Sequence, residues 1–342
     1  MDSFLPNYND PIVSILLLLG IVFIVSVLSY AYSIWKQEQR AKELLGFLKN
    51  FDSKECALDT ENMKFEESMK KPLFLLAIAY QKSGEYAKSI NLYLYLLKHT
   101  KDSSILNNLA MAYFKAGFLQ RALDIYLEII SKNPRNIEVL YQIEFIYEKL
   151  SNFENALDAI EVLEAQGENV NALKVNLKYQ EIDRSFISRE DKFMQIAKLV
   201  KSHKEYAPFL IRKLFILNPK EAWAYYKSEY FDILIDILDK LKKENIDLDI
   251  ISKNILLEQL FYINGLIDTC DKIAGNYALN ILCSSKKCGI DSGRLKFLYL
   301  CTKCKNSYPL PFTRCPNCHR VFSSKIEVTV GKKEKKTDYS LQ

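Results

Sequence analysis

At 342 residues the chain exceeds one small core and predicts two or three structural units. Glycine and proline are scarce, at 10 and 9, while Leu, Ile, Tyr and Phe abound, a balance that favours helix and disfavours an all-β chain. The net charge of +5 is modest but uneven: residues 283–342 hold 13 Lys/Arg against 4 Asp/Glu, which suits either an acidic partner or anionic lipid face, or a solvated surface with a frayed Lys-rich end at Lys332–Lys336, and gives no reason to expect nucleic acid.

The chain opens with a short polar start, residues 1–11, followed by an uncharged apolar run within residues 12–35. At 1.5 Å per residue such a run spans a hydrocarbon core of about 30 Å. Tyr30, Tyr32 and Trp35 fall where an interfacial aromatic belt belongs. The acidic start, long apolar core and bulky end argue for an uncleaved anchor over a signal peptide. Lys36, Arg40, Lys42 and Lys49 follow the run and no Lys or Arg precedes it, so the positive-inside rule predicts an outside N-terminus and a cytoplasmic body in an inner membrane. Eight cysteines in such a chain suit a reducing compartment. Residues 36–70 read as a linker or juxtamembrane helix.

From about residue 70 the sequence repeats with a period of 33–34 residues. Gly84, Gly117 and Ser151 keep this step, as do Tyr80, Tyr113 and Tyr147, then Tyr86, Leu119 and Phe153, and then Ser89, Ala122 and Ala156. Leu73, Leu76 and Tyr80 fall at helical spacing, and their counterparts repeat it at Leu106, Leu109 and Tyr113 and at Leu140, Ile143 and Tyr147. Small residues at Ala77, Ala110, Ala122 and Ala156 let paired helices approach, and Pro134 closes the second unit. These positions resemble the tetratricopeptide repeat, whose units bury their apolar faces only by stacking. Residues 71–282 are therefore predicted to form an α-solenoid, with clear repeats over about 70–165 and divergent ones after.

Near the C-terminus, Cys301, Cys304, Cys315 and Cys318 read C-x2-C-x10-C-x2-C. Two tight turns bearing two thiolates each close a tetrahedron around one soft divalent cation, with Zn²⁺ expected in a structural role and iron as the alternative. Four protein ligands leave no open position. FLYL at 297–300, VF at 321–322 and IEVTV at 326–330 supply the predicted strands of a zinc ribbon over 283–330. A basic tail, 331–342, follows. The overall fold class is thus mostly α, with a transmembrane helix, a helical solenoid and a small β module.

No P-loop, G-x-G-x-x-G, G-x-S-x-G or H-E-x-x-H string is present, which predicts a non-enzyme. His99 and His203 each end an apparent helix, where a surface or helix-dipole role is expected. His319 follows Cys318 and is expected to be exposed. Cys283 and Cys288 stand at C-x4-C spacing without a further pair, so idle thiols are expected there, and Cys56 and Cys270 read as isolated cysteines.

The order of anchor, repeats and terminal four-cysteine module resembles the lipopolysaccharide assembly protein B family of Gram-negative bacteria. The string LYLCTKCKNSYPLPFTRCPNCHRVF, residues 298–322, is similar to that family's rubredoxin-like domain, except that Lys305 stands where the pattern has glycine. The resemblance implies metal ligation by the four cysteines and an adaptor facing the cytoplasm from the inner membrane. It further implies, as partners, a membrane AAA+ protease and the lipid A pathway deacetylase, whose degradation balances lipopolysaccharide against phospholipid. Two other readings stay open: a membrane-tethered electron carrier holding iron, and a repeat scaffold with another client.

Overall fold

The structure is a computed structural model that describes residues 65–270, 275–291 and 293–332. The expected anchor, most of the linker and nearly all of the basic tail lie outside the described residues. Among the described residues no helix is long and apolar enough to cross a membrane.

The chain divides into two compact units, one ending at Ile129 and one beginning at Ile130. In the first, α1 (Lys70–Ser83), α2 (Tyr86–His99), α3 (Ser103–Lys115) and most of α4 (Leu119–Lys132) form two helix pairs. The second holds α5 (Ile137–Lys149), α6 (Phe153–Ala165), α7 (Asn171–Arg184), α8 (Arg189–Ser202) and α9 (Ala207–Leu217). Shorter helices follow: α10 (Pro219–Ala222), α11 (Phe231–Leu238), α12 (Leu248–Ile251), α13 (Ile255–Ile263) and α14 (Tyr277–Lys287). The sequence boundary expected at 282/283 falls inside α14, so the helix runs straight through it.

The helical pairs follow from the repeated residues. Tyr86, Leu119 and Phe153 each begin a second helix. Ala77, Ala110, Ala122, Ala156 and Ser89 are all wholly buried, because any larger side chain would push the paired backbones apart. Ser89 keeps its hydroxyl there by donating to the Ala77 carbonyl at 2.9 Å. A buried hydroxyl with a partner avoids the desolvation cost of an unsatisfied one.

The turns repeat as closely as the helices. Gly84, Gly117 and Ser151 all take positive φ, at 85°, 87° and 60°. In each case the next N–H reaches back to a tyrosine carbonyl at 2.9 Å: Glu85 to Tyr80, Phe118 to Tyr113, and Asn152 to Tyr147. The left-handed residue donates a second bond, Gly84 to Tyr80, Gly117 to Phe114 and Ser151 to Glu148, so each stop is a two-bond, Schellman-type cap. Glycine takes it freely, whereas serine in the third unit carries a strained backbone. Ser151 also accepts a bond at 2.8 Å from Arg184 on α7, a contact glycine cannot make.

The helical part of the second unit and its sheet share one core. Strands β1 (Gly293–Cys301), β2 (Ser307–Tyr308) and β3 (Ser324–Lys332) form an antiparallel sheet in the order β2-β1-β3. Register runs from Gly293 opposite Lys332 to Cys301 opposite Ser324. Alternation along β1 turns Leu295 and Tyr299 inward, where with Ile326 they join a cluster containing Leu214, Phe231, Leu234 and Leu260. The expected strands at 297–300 and 326–330 lie within β1 and β3. The one expected at 321–322 does not form: Val321 makes only an isolated bridge to Arg314, and Phe322 has φ 48°, which no strand tolerates.

A buried polar knot fastens the sheet to the helices. Arg212 on α9 grips Asp236 on α11 through both guanidinium nitrogens, and the Tyr299 hydroxyl of β1 donates to the same carboxylate. Asp236 is fully buried. Burial and the neighbouring carboxylate push the Tyr299 phenol up, so it stays a donor. Removing Asp236 strands a charge beside the core. Asp236→Ala is therefore expected to destabilise this unit by about 3–5 kcal/mol, whereas the Arg212→Met/Asp236→Leu pair loses far less. Urea unfolding read through buried Trp223, in a Trp35→Phe background, measures both.

Candidate metal centre and its anchorage

The four cysteines sit on two turns built alike. β1 ends in Cys301, and the chain reverses through Cys304 and Lys305. Lys305 N–H donates to the Cys301 carbonyl at 3.0 Å, and Cys301 N–H donates to the Asn306 carbonyl at 2.9 Å. Fourteen residues on, His319 donates to Cys315 at 3.0 Å and Cys315 to Arg320 at 2.9 Å. Both residues that follow the second cysteine are left-handed, Lys305 at φ 63° and His319 at φ 56°. Glycine takes that conformation freely, whereas lysine and histidine take it at a cost.

The turns bring four sulfurs together. Cys301 and Cys318 lie 3.6 Å apart, as do Cys304 and Cys315, and all four lie within 4.8 Å of one another. Among the described residues this is the one group of three or more His, Cys, Asp or Glu side chains arranged to hold a metal ion. The expected site residues are thus assembled as the spacing predicts. Backbone N–H groups also point at sulfur: Asn306 toward Cys304, whose thiol is brought down, and Arg320 toward Cys318, whose thiol burial nonetheless pushes up to about 12. Burial opposes ionisation of Cys301, but bonds from Ser323 and from the Cys304 and Lys303 N–H groups outweigh it and bring the thiol down to about 6. Such donors suit thiolate ligands.

The second turn is tied to the helices by charge. Arg314, directly before Cys315, donates to Glu144 at 2.7 and 3.1 Å and to Glu148 at 2.6 Å, both on α5. All three side chains are at least nine-tenths buried, and Asn176 on α7 donates to Glu148 at 2.7 Å. The Arg314 guanidinium also lies 4.8 Å from the Phe145 ring centroid. Burial pushes the Glu144 carboxyl up, against the pull of Arg314. Glu144 falls one period after Ala77 and Ala110, where the repeat asks for a small apolar residue. That departure is the sequence signal for this anchorage, and pattern reading passed over it.

Two expectations at single residues are corrected. His319 is not exposed: it is half-buried, its ring 4.3 Å from that of Phe145. Cys270 is not isolated: its sulfur lies 3.3 Å from that of Cys283, and both are buried. Helix α14 aims Cys283 at Cys270 and leaves Cys288 exposed past its end, so the C-x4-C spacing makes no site. His99 and His203 sit at the ends of α2 and α8 as expected.

A scan against family models finds no match, and neither does a search of curated proteins. Solved structures do match. MamA 41-end from Desulfovibrio magneticus RS-1 is 16% identical, covering 49% of this chain and 94% of its own, with a TM-score of 0.36. A tetratricopeptide repeat protein from Parabacteroides merdae is 17% identical, covering 63% of this chain and 83% of its own, with a TM-score of 0.35. The helical-repeat reading of this chain rests on its own period, helix pairs and turns.

Two sets of substitutions test the centre. Lys305→Gly relieves left-handed strain and is expected to stabilise the module by about 0.5–1 kcal/mol. His319→Gly relieves the same strain but loses the Phe145 contact, worth about 0.5–1.5 kcal/mol, and is expected to gain nothing. Arg314→Met leaves two buried carboxylates without their cation and is expected to cost about 3–5 kcal/mol. Thermal unfolding of the metal-loaded protein ranks the three variants.

Proposed function

We propose that the protein is a membrane-anchored adaptor whose helical repeats bind a protein client and whose four-cysteine module holds a structural Zn²⁺. The observation that carries this reading is the closed tetrahedron of sulfurs set into a helical-repeat unit. A Zn–S bond of about 2.3 Å sets sulfur atoms about 3.8 Å apart in a tetrahedron, which fits the spacing of Cys301, Cys304, Cys315 and Cys318. With four protein ligands the ion has no position for substrate, so its contribution is to hold the two turns together. The uncharged run at residues 12–35, with its basic flank, supports a single-pass anchor and a cytoplasmic body.

The order of segments and the 298–322 string support a finer reading: an inner-membrane adaptor that presents the lipid A pathway deacetylase to a membrane AAA+ protease and so regulates lipopolysaccharide synthesis. Crosslinking in native membranes followed by mass spectrometry tests it. Recovery of both proteins is the expected result; their reproducible absence removes the client assignment and leaves the scaffold.

The metal is tested separately. Purified protein is expected to be colourless with about one equivalent of zinc, and Cys301→Ser with Cys304→Ser to lose the ion, loosen the two cysteine turns and abolish regulation of the client. Reddish protein with thiolate-to-iron charge-transfer bands overturns the zinc assignment in favour of electron transfer.

A further inference from the structure

Strand β2 is only two residues long, while β1 is nine. The pairing stops at Tyr299 opposite Tyr308, because the next residue on β2 is Pro309, and Pro311 follows. Neither proline has an N–H to continue a ladder. The bond from Cys301 N–H to Asn306 shows which side the odd-numbered residues of β1 face. The opposite bond, Thr302 N–H to Ser323 at 2.8 Å, confirms the alternation. Leu295 and Phe297 therefore aim their backbone N–H and C=O groups at the edge that β2 leaves open, and among the described residues no strand pairs with them there.

This edge borders a groove of about 1090 Å³. One wall is made by residues 239–241 and 263–266, and the other by Pro309, Leu310 and Pro311. Leu310 is 73% exposed, an apolar contact standing beside the open backbone. Adjacent strands sit about 4.8 Å apart, so a walled edge admits one extended chain and excludes a second whole sheet. Lys240, Lys286, Arg294 and Lys296 border the groove against Asp239 and Asp291, a surplus of positive charge. Burial pushes the Asp239 carboxyl up, and the Asn264 side chain, donating to it at 3.1 Å, opposes that shift.

We propose that the open edge of β1 is a second docking site, which takes an extended acidic segment of a partner protein by strand addition. Backbone bonds to Leu295 and Phe297 hold the segment, Leu310 contacts its apolar side chains, and the surrounding cations select acidic ones. None of the groove's lining residues belongs to the clear repeats at about 70–165, and the site does not depend on the identity of their client.

The test uses the full chain in detergent and a fluorescein-labelled heptapeptide of alternating valine and glutamate. Binding is expected below about 1 mM, weakened at least about tenfold by N-methylation of alternate peptide amides and by replacing glutamate with lysine. Amide exchange at Leu295 and Phe297 is expected to slow at least about tenfold when the peptide is added. Phe297→Pro removes one edge donor and is expected to lose binding while Trp223 fluorescence stays native. If that variant unfolds, the methylated peptide still decides. Equal binding of the methylated or lysine peptide, or none at about 1 mM, overturns the proposal. So do Leu295 and Phe297 amides already protected in the free chain, since another segment or a second copy then covers the edge.

Discussion

One guanidinium between two carboxylates determines where the four-cysteine cluster sits. Arg314 is the neighbour of Cys315, so the bonds that hold it on α5 also hold the second cysteine turn. Taken out of water without its partners, each of these charges would cost several kcal/mol. Together, and with Asn176 on Glu148, they pair both carboxylates with the two terminal guanidinium nitrogens, leaving only the Arg314 Nε of that guanidinium without a partner. The turn consequently has one place to lie on α5, and the four sulfurs inherit that place.

The sheet is held from its other side by a second knot of the same kind. Arg212 and Asp236 belong to helices, and Tyr299 belongs to β1 two residues before Cys301. Each cysteine turn thus has a buried ion pair within a few residues of it. Between them lies Phe322, which packs against both apolar clusters of the unit and stacks 5.0 Å from Tyr206. A free zinc ribbon would depend on its ion for nearly all its stability. The four-cysteine module here is braced by helices α5, α9 and α11, so its sheet does not rest on the sulfur cluster alone.

Much of this was legible in the sequence, and the parts that were not share a cause. The 33–34 residue period located the helix pairs, and the paired tyrosines and glycines located their stops, because those features are local. The cysteine spacing located the sulfur cluster for the same reason. What pattern reading missed involves residues far apart in the chain. Glu144 and Arg314 are 170 positions apart, and nothing local marks either as a partner. Glu144 did carry a trace, a charge where Ala77 and Ala110 are small. Cys270 and Cys283 meet only because α14 turns back toward α13, and His319 loses its exposure only because Phe145 lies beneath it. The short strand expected at 321–322 failed because its two apolar residues serve packing and not pairing. Val321 enters the cluster of α5, α6 and α7, and Phe322 bends away to reach Tyr206.

Why the chain buries ions here, where apolar residues of similar volume would serve stability as well or better, follows from geometry. Val321 and Phe322 give the turn an apolar footing on the helices, but apolar contact is non-directional, and a side chain can slide on it at little cost. A guanidinium fork is directional: its N–H groups meet the carboxylates of Glu144 and Glu148 at one angle and one height along α5. One turn of helix separates these two glutamates, so a shift of Arg314 by a residue in either direction would lose one of them. The buried charges therefore supply register, and the apolar contacts supply the bulk of the burial energy. On this account an ion held by the cysteines would close a geometry that the helices already impose.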